Sequence, residues 1–131
     1  MNCTAEVLLL EDNALVRAVA EAYFSERPVR VTCVATVQEF LDMARGWGHR
    51  WAALVADYRL GEGRTGCDVL AALEGPAASL PMVVWTAHPE EARADLRCRC
   101  ARILDIVAKP DLAELEWRLK IALGSLELGR V

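Results

Sequence analysis

Val7-Leu8-Leu9-Leu10-Glu11-Asp12 is an apolar run that stops abruptly at two acids. The design recurs along the chain: Leu54-Val55-Ala56 stops at Asp57, Met82-Val83-Val84-Trp85 at Thr86, and Ile103 to Ala108 at Lys109. Short runs without polar alternation read as strands buried on both faces of a parallel sheet. Parallel strands bring their carboxyl ends to one rim, so an acid pair, a lone acid, a hydroxyl and an ammonium converge there. Such a set suits a divalent cation and a phosphoryl group.

Working outward, apolar runs alternate with helix-period segments five times, the pattern of a βα sheet covered on both sides. The first strand spans Ala5 to Leu10, and a helix from about Asn13 to Glu26 places Val16, Val19, Ala20, Tyr23 and Phe24 on one stripe before Pro28. Val29 to Val34 is the second strand. Thr36, with Glu39 three residues on, caps a helix whose Val37, Phe40, Leu41 and Ala44 face inward. Ala52 to Ala56 forms the third strand, followed by a loop with three glycines and a helix from Cys67 to Leu73. Met82 to Thr86 is the fourth strand, Pro89 opens the fourth helix, and Ile103 to Ala108 is the fifth strand. A last helix, about Leu112 to Leu123, gathers Leu112, Leu115, Leu119 and Leu123. Right-handed crossovers then give an α/β, doubly wound, five-stranded parallel sheet, most simply in the order 2-1-3-4-5.

With 131 residues the chain forms one domain, residues 1–124, followed by a short tail, 125–131. The apolar fraction is 54% and the mean hydropathy +0.19, yet no apolar stretch approaches the roughly 20 residues that span a bilayer. The start carries neither a basic segment nor a long apolar one, which argues against export. Five cysteines, an odd number scattered among strands and helices, fit reduced thiols in the cytoplasm. A net charge of -4 leaves no basic field for a phosphate backbone, so nucleic acid is not an expected partner. Arg93, Arg97, Arg99 and Arg102, interleaved with Glu90, Glu91 and Asp95, read as a solvated helix face, with partner docking as the alternative.

Each residue at the rim also has an ordinary reading. Glu11 and Asp12 could hold magnesium with several waters retained, or simply favour the next helix N-terminus. Asp57 suits a nucleophile toward phosphorus, or is a plain strand-end acid. Thr86 offers a hydroxyl beside the small Ala87. Lys109 supplies a point charge that can reach a phosphoryl oxygen, and a cis Lys109-Pro110 peptide would aim it inward.

Together, Glu11-Asp12, Asp57, Thr86-Ala87 and Lys109-Pro110 resemble the response-regulator receiver domain, the CheY-like family of two-component signalling, over nearly the whole chain. The resemblance implies that Asp57 accepts a phosphoryl group from a histidine kinase or a histidine phosphotransfer protein. It implies Mg2+ held by Asp12, Asp57 and the Arg59 backbone carbonyl, with Glu11 acting through water. Thr86 and Lys109 would bind phosphoryl oxygens and pass the change to the fourth helix, fifth strand and fifth helix. That face is also where the resemblance allows a homodimer. The chain would be a signalling domain and not an enzyme, catalysing only its own phosphorylation and slow dephosphorylation. The alternatives are a pseudo-receiver that docks without phosphorylation and, less well supported, an aspartyl phosphohydrolase, which would want an acid where Arg59 stands.

The chain departs from the family pattern at Ile106, where receivers carry a rotating Tyr or Phe, and at Gly61, where they carry proline. The loop to Gly66 is one residue longer than the common form, and its glycines predict mobility. The Asp57-Tyr58-Arg59-Leu60-Gly61 wording resembles receivers attached to hybrid kinases. His88 lies near the expected phosphoryl position and reads as an exposed loop histidine, with the orienting of a hydrolytic water as the alternative, and His49 is given no role. Cys98 and Cys100 read as ordinary positions of the fourth helix, and Trp47, Trp51, Trp85 and Trp117 as core or rim anchors.

Overall fold

A computed structural model describes residues 5–46 and 50–130, with 76 and 124–130 as backbone only. Cys3, Trp47, Gly48 and His49 lie outside the described residues. Five parallel strands, β1 (Ala5–Leu10), β2 (Val29–Val34), β3 (Ala53–Ala56), β4 (Met82–Thr86) and β5 (Ile103–Ala108), form one sheet in the order β2-β1-β3-β4-β5. Between them run α1 (Ala14–Phe24), α2 (Val37–Gly46), α3 (Gly66–Ala71) and α4 (Pro89–Ala94), with α5 (Leu112–Arg130) last. Two 3-10 helices, Gly75–Ser79 and Leu96–Arg99, complete the connections.

The period of two along each strand splits the core. Leu8, Leu10, Leu54, Ala56, Met82 and Val84 face one side with Phe40, Val69 and Leu70, while Val7, Leu9, Val55, Val83 and Val107 face the other with Phe24, Leu115 and Leu119. Local signals behave as their chemistry requires. Asn13 caps α1 by accepting from the Val16 amide, and the Thr36–Glu39 capping box forms in both directions, at 3.1 and 3.2 Å. Among the described residues no helix is long and apolar enough to cross a membrane.

Several expectations are corrected. Cys67 and Cys98 are joined in a disulfide with Cα atoms 5.9 Å apart, leaving Cys33 and Cys100 as the free cysteines among the described residues. Their separation of 31 residues hides a proximity that only the packing of α3 against the segment after α4 creates. The fourth helix is shorter than expected because Asp95 turns extended, ends α4 and accepts from the Arg97 amide to start the 3-10 turn. Cys98 therefore sits on that turn. Arg102 is no solvated helix residue: its guanidinium donates to the carbonyls of Ala77 and Leu80. Val19 and Trp117 are half exposed, so neither serves the core. The terminal helix continues beyond Leu123.

Candidate functional site

The register fixes which strand ends meet. Leu10 pairs with Ala56, so Glu11 and Asp57 leave adjacent strands side by side. Thr86 pairs with Ala108, and the Lys109 amide donates to the Thr86 carbonyl at 2.8 Å, so hydroxyl and ammonium leave the next pair together. The Lys109-Pro110 peptide is cis.

Lys109 is the centre of the arrangement. Its Nζ donates to Asp57 Oδ2 at 2.6 Å and to Glu11 Oε1, joining the ends of three strands through one ammonium. Glu11 is buried and its other oxygen accepts from the Asn13 amide at 3.0 Å, while Asp57 Oδ1 accepts from the Arg59 amide at 3.3 Å. Burial alone would lower the Lys109 pKa, but the hydrogen bonds to Asp57 and Glu11 outweigh it and raise the value. The lysine is thus held cationic beside the candidate nucleophile. Thr86 is fully buried and its Oγ1 accepts from the His88 amide at 3.0 Å. The His88 side chain is exposed.

Asp12 is exposed beside the pair, with no hydrogen bond to its carboxylate among the described residues. No group of three carboxylate, imidazole or thiol side chains forms a cation cage among those residues. The donor chemistry nonetheless fits a hard cation that keeps most of its water. Two carboxylates flank the rim, a third is free, and a loop carbonyl follows at Arg59.

The loop after β3 is folded into a defined turn. Leu60 donates to the Arg64 carbonyl and Arg64 to Gly61, with Gly61, Glu62 and Gly63 all at positive φ. Gly66 has a different reason to be glycine: an added Cβ would lie 2.6 Å from the carbonyl oxygen of Asp57. The first turn of α3 therefore rests on the backbone of the candidate nucleophile. Ile106 packs at the edge of the α2–α3–α4 core.

Sequence reasoning missed the polar contacts around this loop. The Arg59 side chain pairs with Glu91 at 2.7 Å. Tyr58 donates to Asp95 at 2.7 Å, and the Arg97 guanidinium, followed by this bond, holds the Asp95 carboxyl well below the usual carboxylate range. Glu91 and Asp95, four residues apart in a short, charged segment, gave no sign of which arginine each would meet.

No family model and no curated protein matches the sequence. Solved structures do match. A response regulator receiver domain protein from Clostridium thermocellum is 15% identical, with a TM-score of 0.79 over 95% of this chain and 98% of that one. A receiver domain protein described as CheY-like, from Methanospirillum hungatei, is also 15% identical, with a TM-score of 0.79 over 97% and 99%. The receiver domain of the hybrid histidine kinase CckA is 22% identical, with a TM-score of 0.73 over 91% and 99%. The chain has the fold of response-regulator receiver domains.

Proposed function

We propose that this chain is a receiver that accepts a phosphoryl group on Asp57 and signals through protein contacts. The observation that carries the reading is the Lys109 ammonium shared between Asp57 and Glu11 at the carboxyl rim of a sheet of this fold. Asp57 Oδ attacks the phosphorus of a phosphohistidine, the histidine N–P bond breaks, and the imidazole leaves. Lys109 and the Thr86 hydroxyl then bind phosphoryl oxygens, and Lys109 leaves Glu11 to do so.

Glu11, Asp12, Asp57 and the Arg59 carbonyl would hold Mg2+, which supplies charge stabilisation for the transferring group. The donor is a histidine kinase or histidine phosphotransfer protein, and an ATP-driven relay of that kind places the chain in the cytoplasm. Leu104 and Trp117, both half exposed on β5 and α5, offer an output surface, with a second copy of the chain as one partner. Arg59 stands where hydrolysis of an external ester would want an acid, which weighs against a phosphohydrolase.

The test is intact mass after incubation with magnesium and acetyl phosphate, beside Asp57→Asn. One added phosphoryl group on the parent alone, blocked by a chelator, is the expected result. No addition to a folded, magnesium-binding parent would instead favour a docking-only pseudo-receiver. Lys109→Ala should retain part of the phosphorylation while losing the accompanying change in Trp85 fluorescence, and an unchanged signal would refute its coupling role.

A further inference from the structure

The segment from Pro89 to Arg99 is attached to the chain around Asp57 by side chains, not by helix length. α4 has six residues and the following 3-10 turn four, too few to hold themselves. Arg59–Glu91, Tyr58–Asp95 and Arg97–Asp68 tie this segment to the β3–α3 connection and α3, and Cys67–Cys98 adds a covalent link.

These links differ in strength. The Arg59–Glu91 partners are 58% and 46% exposed and Arg97 is 55% exposed, so water and salt weaken both ion pairs. The two cysteines are buried, at 6% and 5% exposed. Cys67 also follows Gly66, the residue pressed against the Asp57 carbonyl. The disulfide thus joins the helix that rests on Asp57 to the segment beyond His88.

We propose that Cys67–Cys98 is a thiol–disulfide exchange site that clamps the α4 segment to α3 when oxidised and frees it when reduced by a dithiol. In the reaction one thiolate of the dithiol attacks a sulfur of the pair, breaking the Cys67–Cys98 bond and forming a mixed disulfide. The second thiol of the donor resolves it. The donor is oxidised to its disulfide, two electrons pass to the protein, and Cys67 and Cys98 each end as a thiol. Because both sulfurs are buried, attack follows local opening of the turn, where Arg97, Arg99 and Cys100 are already exposed. In the reducing cytoplasm of the proposed function disulfides are rare, and those that form are usually transient or redox-sensing. Resting on the receiver reading, the clamp would also decide whether phosphorylation reaches the α4 surface.

The test is amide hydrogen exchange of the full chain, without phosphodonor, before and after dithiothreitol, with cysteine alkylation mapped in parallel. Reduction should make Cys67 and Cys98 newly alkylatable and speed exchange in residues 89–99 by about tenfold or more, leaving β1 and β3 unchanged. The double variant Cys67→Ala/Cys98→Ala should match the reduced protein and ignore the reductant. No new alkylation, unaltered exchange in that segment, or faster exchange throughout the sheet would each overturn the clamp. A second arm adds magnesium and beryllofluoride, a stand-in for the phosphoryl group, which should bind in both states and alter residues 89–99 only after reduction. An equal response in both states would refute the gating. Absence of binding in both would refute the receiver reading while the first arm still judges the clamp.

Discussion

The helices α1 and α5 and the α4 segment on the opposite side of the sheet are not held alike. On the side of α1 and α5, long helices bury Phe24, Leu115 and Leu119 against Val7, Leu9 and Val83, and one nearly buried acid, Glu116, gathers Tyr23 at 2.8 Å and Arg27 at 3.0 Å. On the other side α2 and α3 bury Phe40, Leu41, Val69 and Leu70 against the sheet, but the α4 segment, from which only Ala92 and Cys98 are buried, is held in addition by ion pairs, a tyrosine bond and a disulfide. Apolar burial scales with area and resists salt, whereas exposed polar links are weak and conditional. The α4 segment is therefore the part of the sheet's surroundings on which the proposed chemistry at Asp57 would act most readily.

The contrast can be broken most severely from the side of α1 and α5. Leu119→Ala should cost about 2–5 kcal/mol, read as a fall in the urea midpoint, because Leu119 is fully buried and the facing strands cannot collapse onto the void. On the opposite side, at the start of α3, Gly66→Ala should cost about 1–3 kcal/mol, since its Cβ would meet backbone and not a movable side chain. It should also slow phosphorylation by acetyl phosphate, measured as the rate of mass increase, by displacing Asp57.

Glu116 sharpens the comparison through pH. Burial works against its ionisation, but bonds from Tyr23 and Lys120 outweigh that and hold its pKa below the ordinary 4.5. Its contribution is therefore complete above the unfolded value and is lost as pH falls through the folded one. The stability gap between the parent and Glu116→Gln, followed by urea unfolding, should be widest near neutrality and shrink below about pH 4.5.

The smallest effect belongs to the polar links of the α4 segment. Arg59→Ala should change stability by less than about 1 kcal/mol, and less still in molar salt, because both partners of the Glu91 pair are largely exposed. The free cysteines give an independent check. Burial pushes the Cys33 thiol up to about 12, so at pH 8 iodoacetamide should label the exposed Cys100 well before Cys33.

How much was legible follows the same division. β1, β2, β4 and β5 were read at their observed ends, because an apolar run stopped by a charged or turn residue is a local signal. The inward leucines of α5 were legible for the same reason, as period 3.6 states a face. Val19 kept that period on α1 and still emerged half exposed, since the stripe was wider than the face the sheet could cover. On the other side, α4 was drawn too long and Cys98 was given no partner, because charged residues in a short segment carry no period to read.

The order of apolar runs and their polar stops, by themselves, determined a doubly wound sheet and the gathering of Glu11, Asp12, Asp57, Thr86 and Lys109 at one rim. Those are consequences of chain direction and strand spacing, which every residue in a run reinforces. Only the tertiary structure decided that Lys109 bridges Asp57 and Glu11, that Gly66 abuts the Asp57 carbonyl, and that Cys67 meets Cys98. Each depends on one side chain meeting one other across elements far apart in the chain, and no periodic pattern records such a meeting.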